Sequence, residues 1–255
     1  MTNLSVGNPI PSNTEPGQNS LDLYVELKKV DCGDDSITNE IRTNYKKFKE
    51  TIGKVLDFSA DFAVQADHID DVINWLATPV SVVKAQRYFG WLIHQCQNME
   101  GDARTLMDSF ASIKDGLRLL EGKVNKYIIK TSQEETNIRS SFWASMMAMV
   151  ERVVELVTGK PSEVAVKKNN IDSAEDIKSS ISTIRDKISS DEVFWCHTSA
   201  KLKKFREFLD IFQPEANETN HQDVICIDER ELKRVLYKWH ELKNDILVAK
   251  QSIQQ

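Results

Sequence analysis

Motifs that would name a reaction are missing from this chain of 255 residues. Its four cysteines, Cys32, Cys96, Cys196 and Cys226, show neither CxxC nor CxnH spacing, which excludes a zinc-finger or thioredoxin-type site. There is no GxGxxG, and Gly159-Lys160 fails as a phosphate loop because Val154 stands where the first glycine is required. No HExxH occurs. Glu218 to His221, the one Glu-x-x-His spacing, lies in a polar loop and not on the facing helices that a di-iron bundle needs. Cys196 and His197 are adjacent, so on a helix they point about 100° apart; His94 and Cys96 fail as a ligand pair for a similar reason. The expectation is a protein without catalytic residues, metal or cofactor.

Long hydrophobic runs are missing too. No stretch reaches the ~18 uncharged apolar residues of a spanning helix, and the start, MTNLSVGNPIPSN, lacks the charged and apolar regions of a classical secretory signal. The expected location is therefore the cytoplasm, or release without a classical signal, with reduced thiols and possible association with a target membrane. A net charge of -6 and a pI near 5.5 argue against nucleic acid, which needs a basic footprint. They leave a membrane role open, because apolar insertion needs no net positive charge. Proline is scarce, and three of the six lie in residues 1–20, which read as a disordered tail.

What the chain does contain is heptads. From Ala85 to Tyr127 an apolar seam recurs at alternating spacings of four and three: Ala85, Phe89, Leu92, Cys96, Met99, Ala103, Leu106, Phe110, Ile113, Leu117, Leu120, Val124 and Tyr127. A helix over 80–131 would be roughly 75 Å long, beyond the ~50 Å diameter of a compact globule of this size. An earlier helix over 36–77 has the seam Ile41, Tyr45, Phe48, Ile52, Val55, Ser59, Phe62, Ala66, Ile69, Ile73 and Leu76, and stops at Thr78-Pro79. The short connection makes the two an antiparallel hairpin. That match sets Lys46, Lys47, Lys49 and Lys54 across from Glu100, Asp102, Asp108 and Asp115, and Asp67, Asp70 and Asp71 across from Lys84 and Arg87.

A third helix is expected over 172–213, between a capping box at Ser173 and Asp176 and a stop at Pro214. The polar Asp191 and Thr198 interrupt its apolar seam, as register-fixing residues do in coiled coils. A last helix from about Asp228 repeats Leu232, Val235, Trp239, Leu242, Ile246, Ala249 and Ile253. The alternation Leu21, Leu23, Val25, Leu27 and the run 224–227 are strand candidates that could pair with each other. The fold class is thus all-α: an elongated antiparallel bundle of four long helices plus one short apolar helix, with a minor two-stranded element. Residues 21–255 form one domain, with an apolar head at 132–171.

Two apolar regions stand out. The segment 142–157, with Phe142, Trp143, Met146, Met147, Met149, Val150, Val153, Val154 and Val157, has an apolar face too wide for one seam. The hairpin tip offers Trp75, Val80, Val82, Val83 and Trp91. Either region can be bundle core or a membrane-contact surface; clustered tryptophan, phenylalanine and methionine suit an interface with lipid. Two basic clusters, Lys201, Lys203, Lys204 and Arg206, and Arg42 with Lys46, Lys47 and Lys49, read as solvated helix faces or as contacts for anionic headgroups.

The order of long helices around an apolar head, together with "RYFGWLIHQCQNMEGDARTLMDSFASIKDGLRLL" and "LYKWHELKNDILVAKQSI", resembles the α-helical pore-forming toxins of the cytolysin A, haemolysin BL and Cry6-type group, over about residues 36–254. The resemblance implies a non-enzymatic, membrane-engaging protein that oligomerises and exposes its head helix at a bilayer, with lipid and further subunits as partners. The chain departs from that group in lacking a long uncharged head rich in glycine and alanine, which leaves a partner-subunit role open. The alternative reading is a cytosolic scaffold or adaptor that binds partner proteins through its coiled-coil faces.

Overall fold

A computed structural model describes residues 34–140, 163–212, 224–225 and 228–254. Among them the order is α1 (Asp35–Leu76), β1 (Val80–Ser81), α2 (Val82–Ser140), α3 (Glu163–Phe212), β2 (Val224–Ile225) and α4 (Glu229–Gln254). The helices form an elongated antiparallel bundle. α2 has 59 residues, about 88 Å of helix at about 1.5 Å per residue.

Local signals explain most of the boundaries. The Asp34 carboxylate caps α1 by accepting from the backbone N–H groups of Ser36 (2.8 Å) and Ile37 (3.2 Å). The Asp228 carboxylate caps α4 by accepting from the N–H of Arg230 at 2.8 Å. Thr78 closes α1, with its hydroxyl donating to the Trp75 carbonyl at 2.7 Å, and Pro79 forbids continuation. Two boundaries differ from the sequence expectation. α2 continues to Ser140 and not 131, because no glycine or proline interrupts the stretch after Gly122 until Gly159. α3 begins at Glu163 and not 172, just after Pro161-Ser162, so the Ser173-Asp176 capping pattern lies inside a helix. The run at 224–227 yields a strand at Val224–Ile225, and its described partner is the hairpin tip: Val80 pairs with Ile225 and Ser81 with Val224, antiparallel. Residues 21–27 lie outside the described residues.

The heptad seams form the core. In α2 every seam residue from Ala85 to Val124 is buried, and Tyr127 is half-buried. In α3 Ala174, Ile177, Ile181, Ile184, Ile188, Trp195, Leu202, Phe205 and Leu209 are buried, with Asp191 and Thr198 among them. α1 departs from its expected seam. Its first half buries Asn44 and Thr51, while Tyr45 and Ile52, one position on, stay half-buried. Each polar intruder is satisfied within its own helix, Asn44 Nδ2 donating to the Glu40 carbonyl at 3.0 Å and Thr51 Oγ1 to the Lys47 carbonyl at 3.0 Å. The Asn44 side chain also fills the space over Gly116, where a Cβ would stand 2.2 Å from Oδ1.

Ion pairs fix the register. Lys114 pairs with Glu192 and Glu121 with Arg185, while Glu100 Oε2 accepts from Arg206 Nε at 3.2 Å. Each heptad step along α2 is therefore matched by a heptad step backwards along α3. α1 is tied to α2 by Lys123–Glu40 (2.6 Å), to α4 by Lys243 with Asp70 (2.7 Å) and Asp67 (3.1 Å), and α3 to α4 by Lys201–Asp245 (2.6 Å). Most of these differ from the pairs suggested by matching α1 with α2 alone: Asp67 and Asp70 bind α4, not Lys84 and Arg87, and Glu100 binds Arg104 and Arg206.

The same register gives the described bundle a taper. At the hairpin end all four helices lie side by side. α4, with 26 residues, ends near the level of Asp57 of α1, so the middle is built from α1, α2 and α3. α1 begins level with about residue 128 of α2, and beyond it α2 and α3 run on for about a dozen residues, roughly 18 Å.

Candidate membrane-contact surfaces

The head candidates Phe142, Trp143, Met146, Met147, Met149, Val150, Val153, Val154 and Val157 lie outside the described residues. What the structure does provide is their attachment: Ser140 ends α2 and Glu163 begins α3, at the end of the rod where two described helices remain. The tip candidates sit at the other end of α2.

At the tip, burial divides the candidates. Val80 is buried beneath the β1–β2 pairing, Val82 and Val83 are half-buried, and Trp91 is half-buried against the core. Trp75 is 52% exposed and packs its ring on Tyr88 with centroids 5.6 Å apart. Of the other apolar residues in this stretch, Val72, Ile73, Leu76, Phe89 and Leu92 belong to the core. Trp75 is thus the one tip tryptophan that projects into solvent, with Lys84 and Arg87 exposed nearby in sequence on the first turns of α2.

Carboxylates pair with three residues of the first basic cluster and with Lys46 of the second. Lys201 pairs with Asp245 and Glu241, Lys203 with Glu207, Arg206 with Glu100, and Lys46 with Glu50. The hydrogen bond to Asp245 is the leading reason that the Lys201 ammonium is held above its ordinary value, against a smaller opposing effect of burial. Burial alone would lower Lys243, but its hydrogen bonds to Asp70 and Asp67 and their charges outweigh it and raise the group. His240 Nε2 stands 3.3 Å from Asp70 Oδ1, on the same clasp.

Three features escape a reading based on apolar periodicity. An aromatic cluster joins α1, α3 and α4: Trp239 is buried between Phe62 (centroids 5.6 Å apart) and Phe205 (5.5 Å), and Trp195 meets Phe58 edge-on at 5.1 Å. The Trp239 indole N–H has no partner there. A polar knot sits between α2 and α3, where Glu100 binds Arg206 and, through Oε1, Arg104 Nη2 at 3.1 Å. Cys96 is buried beside it; burial, only partly opposed by Arg206, pushes its thiol up to about 12. The third is Asn44 over Gly116. The aromatic spacing contained a hint of the first, since Phe62, Phe205 and Trp239 are all seam residues. The other two depend on which helices meet.

The surface carries shallow grooves between the helices. One, about 410 Å³, runs between α3 and α4 and is lined by Phe194, His197, Thr198, Lys201, Asn244, Asp245 and Val248. Among the described residues no group of His, Cys, Asp and Glu is arranged to hold a metal ion, and no helix is long and apolar enough to cross a membrane.

The architecture is an elongated all-α bundle of long antiparallel helices. Among solved structures the chain is similar to XaxA from Xenorhabdus nematophila, at 11% identity and a TM-score of 0.44, covering 92% of this chain and 94% of that one. It is also similar to soluble AhlC of the tripartite alpha-pore forming toxin AHL from Aeromonas hydrophila, at 9% identity and a TM-score of 0.33, covering 89% and 96%. No protein-family model matches the chain, and no curated protein matches it.

Proposed function

We propose that the protein is a non-enzymatic, membrane-engaging helical bundle of pore-forming type, which oligomerises and exposes 142–157 at a bilayer. One observation carries this reading. The most apolar stretch of the sequence joins the two longest helices at the end of the rod where the described helices thin to two. In the four-helix part of the rod, seams of neighbouring helices cover one another; at the thin end fewer described neighbours are available to bury a wide apolar face. Glu151, Arg152 and Glu155 oppose a lone spanning helix, since each charge at mid-bilayer costs about 2.5–3.5 kcal/mol on insertion scales. Several copies together can turn those charges away from lipid, which is why oligomerisation belongs to the proposal.

The hairpin tip is the secondary contact surface, through Trp75 and the half-buried Val82 and Val83. The tip and Ser140, from which the head segment continues, lie at opposite ends of α2, about 88 Å apart along a straight helix, so the two surfaces are proposed to act separately. The test is dye release from liposomes. Purified protein at micromolar concentration releases dye, and Met147→Glu or Val150→Glu abolishes release without loss of helicity. Vesicles that stay intact and unbound overturn the proposal.

A further inference from the structure

Asp191 is a carboxylic acid set into the apolar seam of α3. Its side chain is 2% exposed, its Oδ2 has no hydrogen-bond partner, and it lies one heptad from Thr198 and two from Phe205, on the row that meets α4. The Trp195–Phe58 contact places α1 against the same level, and Lys114–Glu192 places α2 there. α4 ends near the level of Asp57 of α1, just short of Asp191, so Asp191 lies where the bundle passes from four described helices to three.

Few charges can compensate it. Lys187, one turn away on α3, lowers its affinity for a proton, but burial dominates and raises the group to about 7. On α1, Glu50, Lys54 and Asp57 near this level are exposed. On α2, Lys114 is engaged by Glu192, and Asp115 and Arg118 are exposed.

We infer that Asp191 is a pH-sensitive restraint on the rod, holding α3 against α1 and α2 while protonated and loosening that junction once ionised. An uncharged acid fits an apolar seam at modest cost, whereas an unpaired carboxylate must regain water. Water has the shortest path at the end of α4, where opening the fewest contacts exposes the group. The sign follows from linkage. In the unfolded chain the group titrates near ~3.9, so between that value and neutrality the folded rod binds the extra proton. Stability is therefore fully present in acid, falls as pH rises through about 7, and stays low above it. This device is independent of whether the rod engages membranes.

The experiment compares the full chain with Asp191→Asn, which keeps the shape and removes the charge, by thermal unfolding between about pH 5.5 and about pH 8.5. The wild-type midpoint falls by several degrees more than that of the variant over this range. Hydrogen exchange, corrected for the intrinsic effect of pH, accelerates in the segment 184–198 of wild type alone. Difference infrared spectra of the wild type show a protonated carboxyl stretch that disappears near neutral pH, a readout that does not need the variant to fold. Equal pH profiles for the two proteins, or no protonated carboxyl in the folded wild type at acid pH, overturn the inference.

Discussion

Gly116 shows how one hydrogen atom at Cα can set a helix contact. A glycine inside an exposed helix is ordinarily about 1 kcal/mol worse than alanine, so replacing it should help. Here the added methyl would stand 2.2 Å from Asn44 Oδ1, and Asn44 is buried between the helices. Gly116→Ala is expected to destabilise the protein by about 1–3 kcal/mol, and Asn44→Ala in the same chain to recover most of the loss; chemical denaturation of the four-member cycle measures it. The two described cysteines differ as sharply. Cys96 is fully buried with its thiol pushed up to about 12, while Cys196 is exposed. Alkylation near neutral pH followed by peptide mapping should label Cys196 promptly and Cys96 only under denaturing conditions. Neither property is written in the residue itself: Cys96 was visible as a seam position, but the knot of Glu100 and Arg206 beside it joins residues 106 apart in the chain.

At the scale of elements, α4 is held by more than its apolar seam. Lys243 is largely covered and bridges Asp67 and Asp70 of α1, so removing it strands a mostly buried Asp70 carboxylate. Lys243→Ala should cost about 1–3 kcal/mol in a denaturant titration, whereas Lys46→Ala, whose pair with Glu50 is exposed, should cost under about 0.5 kcal/mol. The four helices themselves were legible because heptads, Asp caps and the Thr78-Pro79 stop all act within a few residues. Their ends at 140 and 163 were less so, since a polar stretch without breakers follows the helix whenever a neighbour supports it. Seam phase in the first half of α1 also misled. Tyr45 and Ile52 are the apolar choice, yet they stay half-buried along the part of the rod that α4 does not reach. Their heptad equivalents Ser59, Ala66 and Ile73, further up, are buried. Burial there depends on the length of another helix, which no local pattern in α1 encodes. Likewise β2 found its partner in the tip at 80–81, a pairing across about 140 residues of chain that strand alternation cannot specify.

For the molecule as a whole, the tip and Ser140, from which the segment 142–157 continues, lie at opposite ends of α2, and substitutions can separate the two candidate surfaces. Trp75→Ala should leave dye release unchanged if the head is the inserting surface, whereas Met147→Glu should abolish it; the reverse result would assign lipid contact to the tip. Helicity should survive Trp75→Ala, because that ring is half exposed and rests mainly on Tyr88. The stepwise loss of neighbours along the rod has a further outcome. A bundle whose described helices number four at one end and two at the other has no single opening energy: amide protons should be retained longest around Leu92, Trp239 and Leu76, for less time around Ile113, and least toward Ser140 and Glu163. Such a molecule would melt like a fuse, from the junction inward, and the order in which deuterium enters its peptides would read out the helix count at every level.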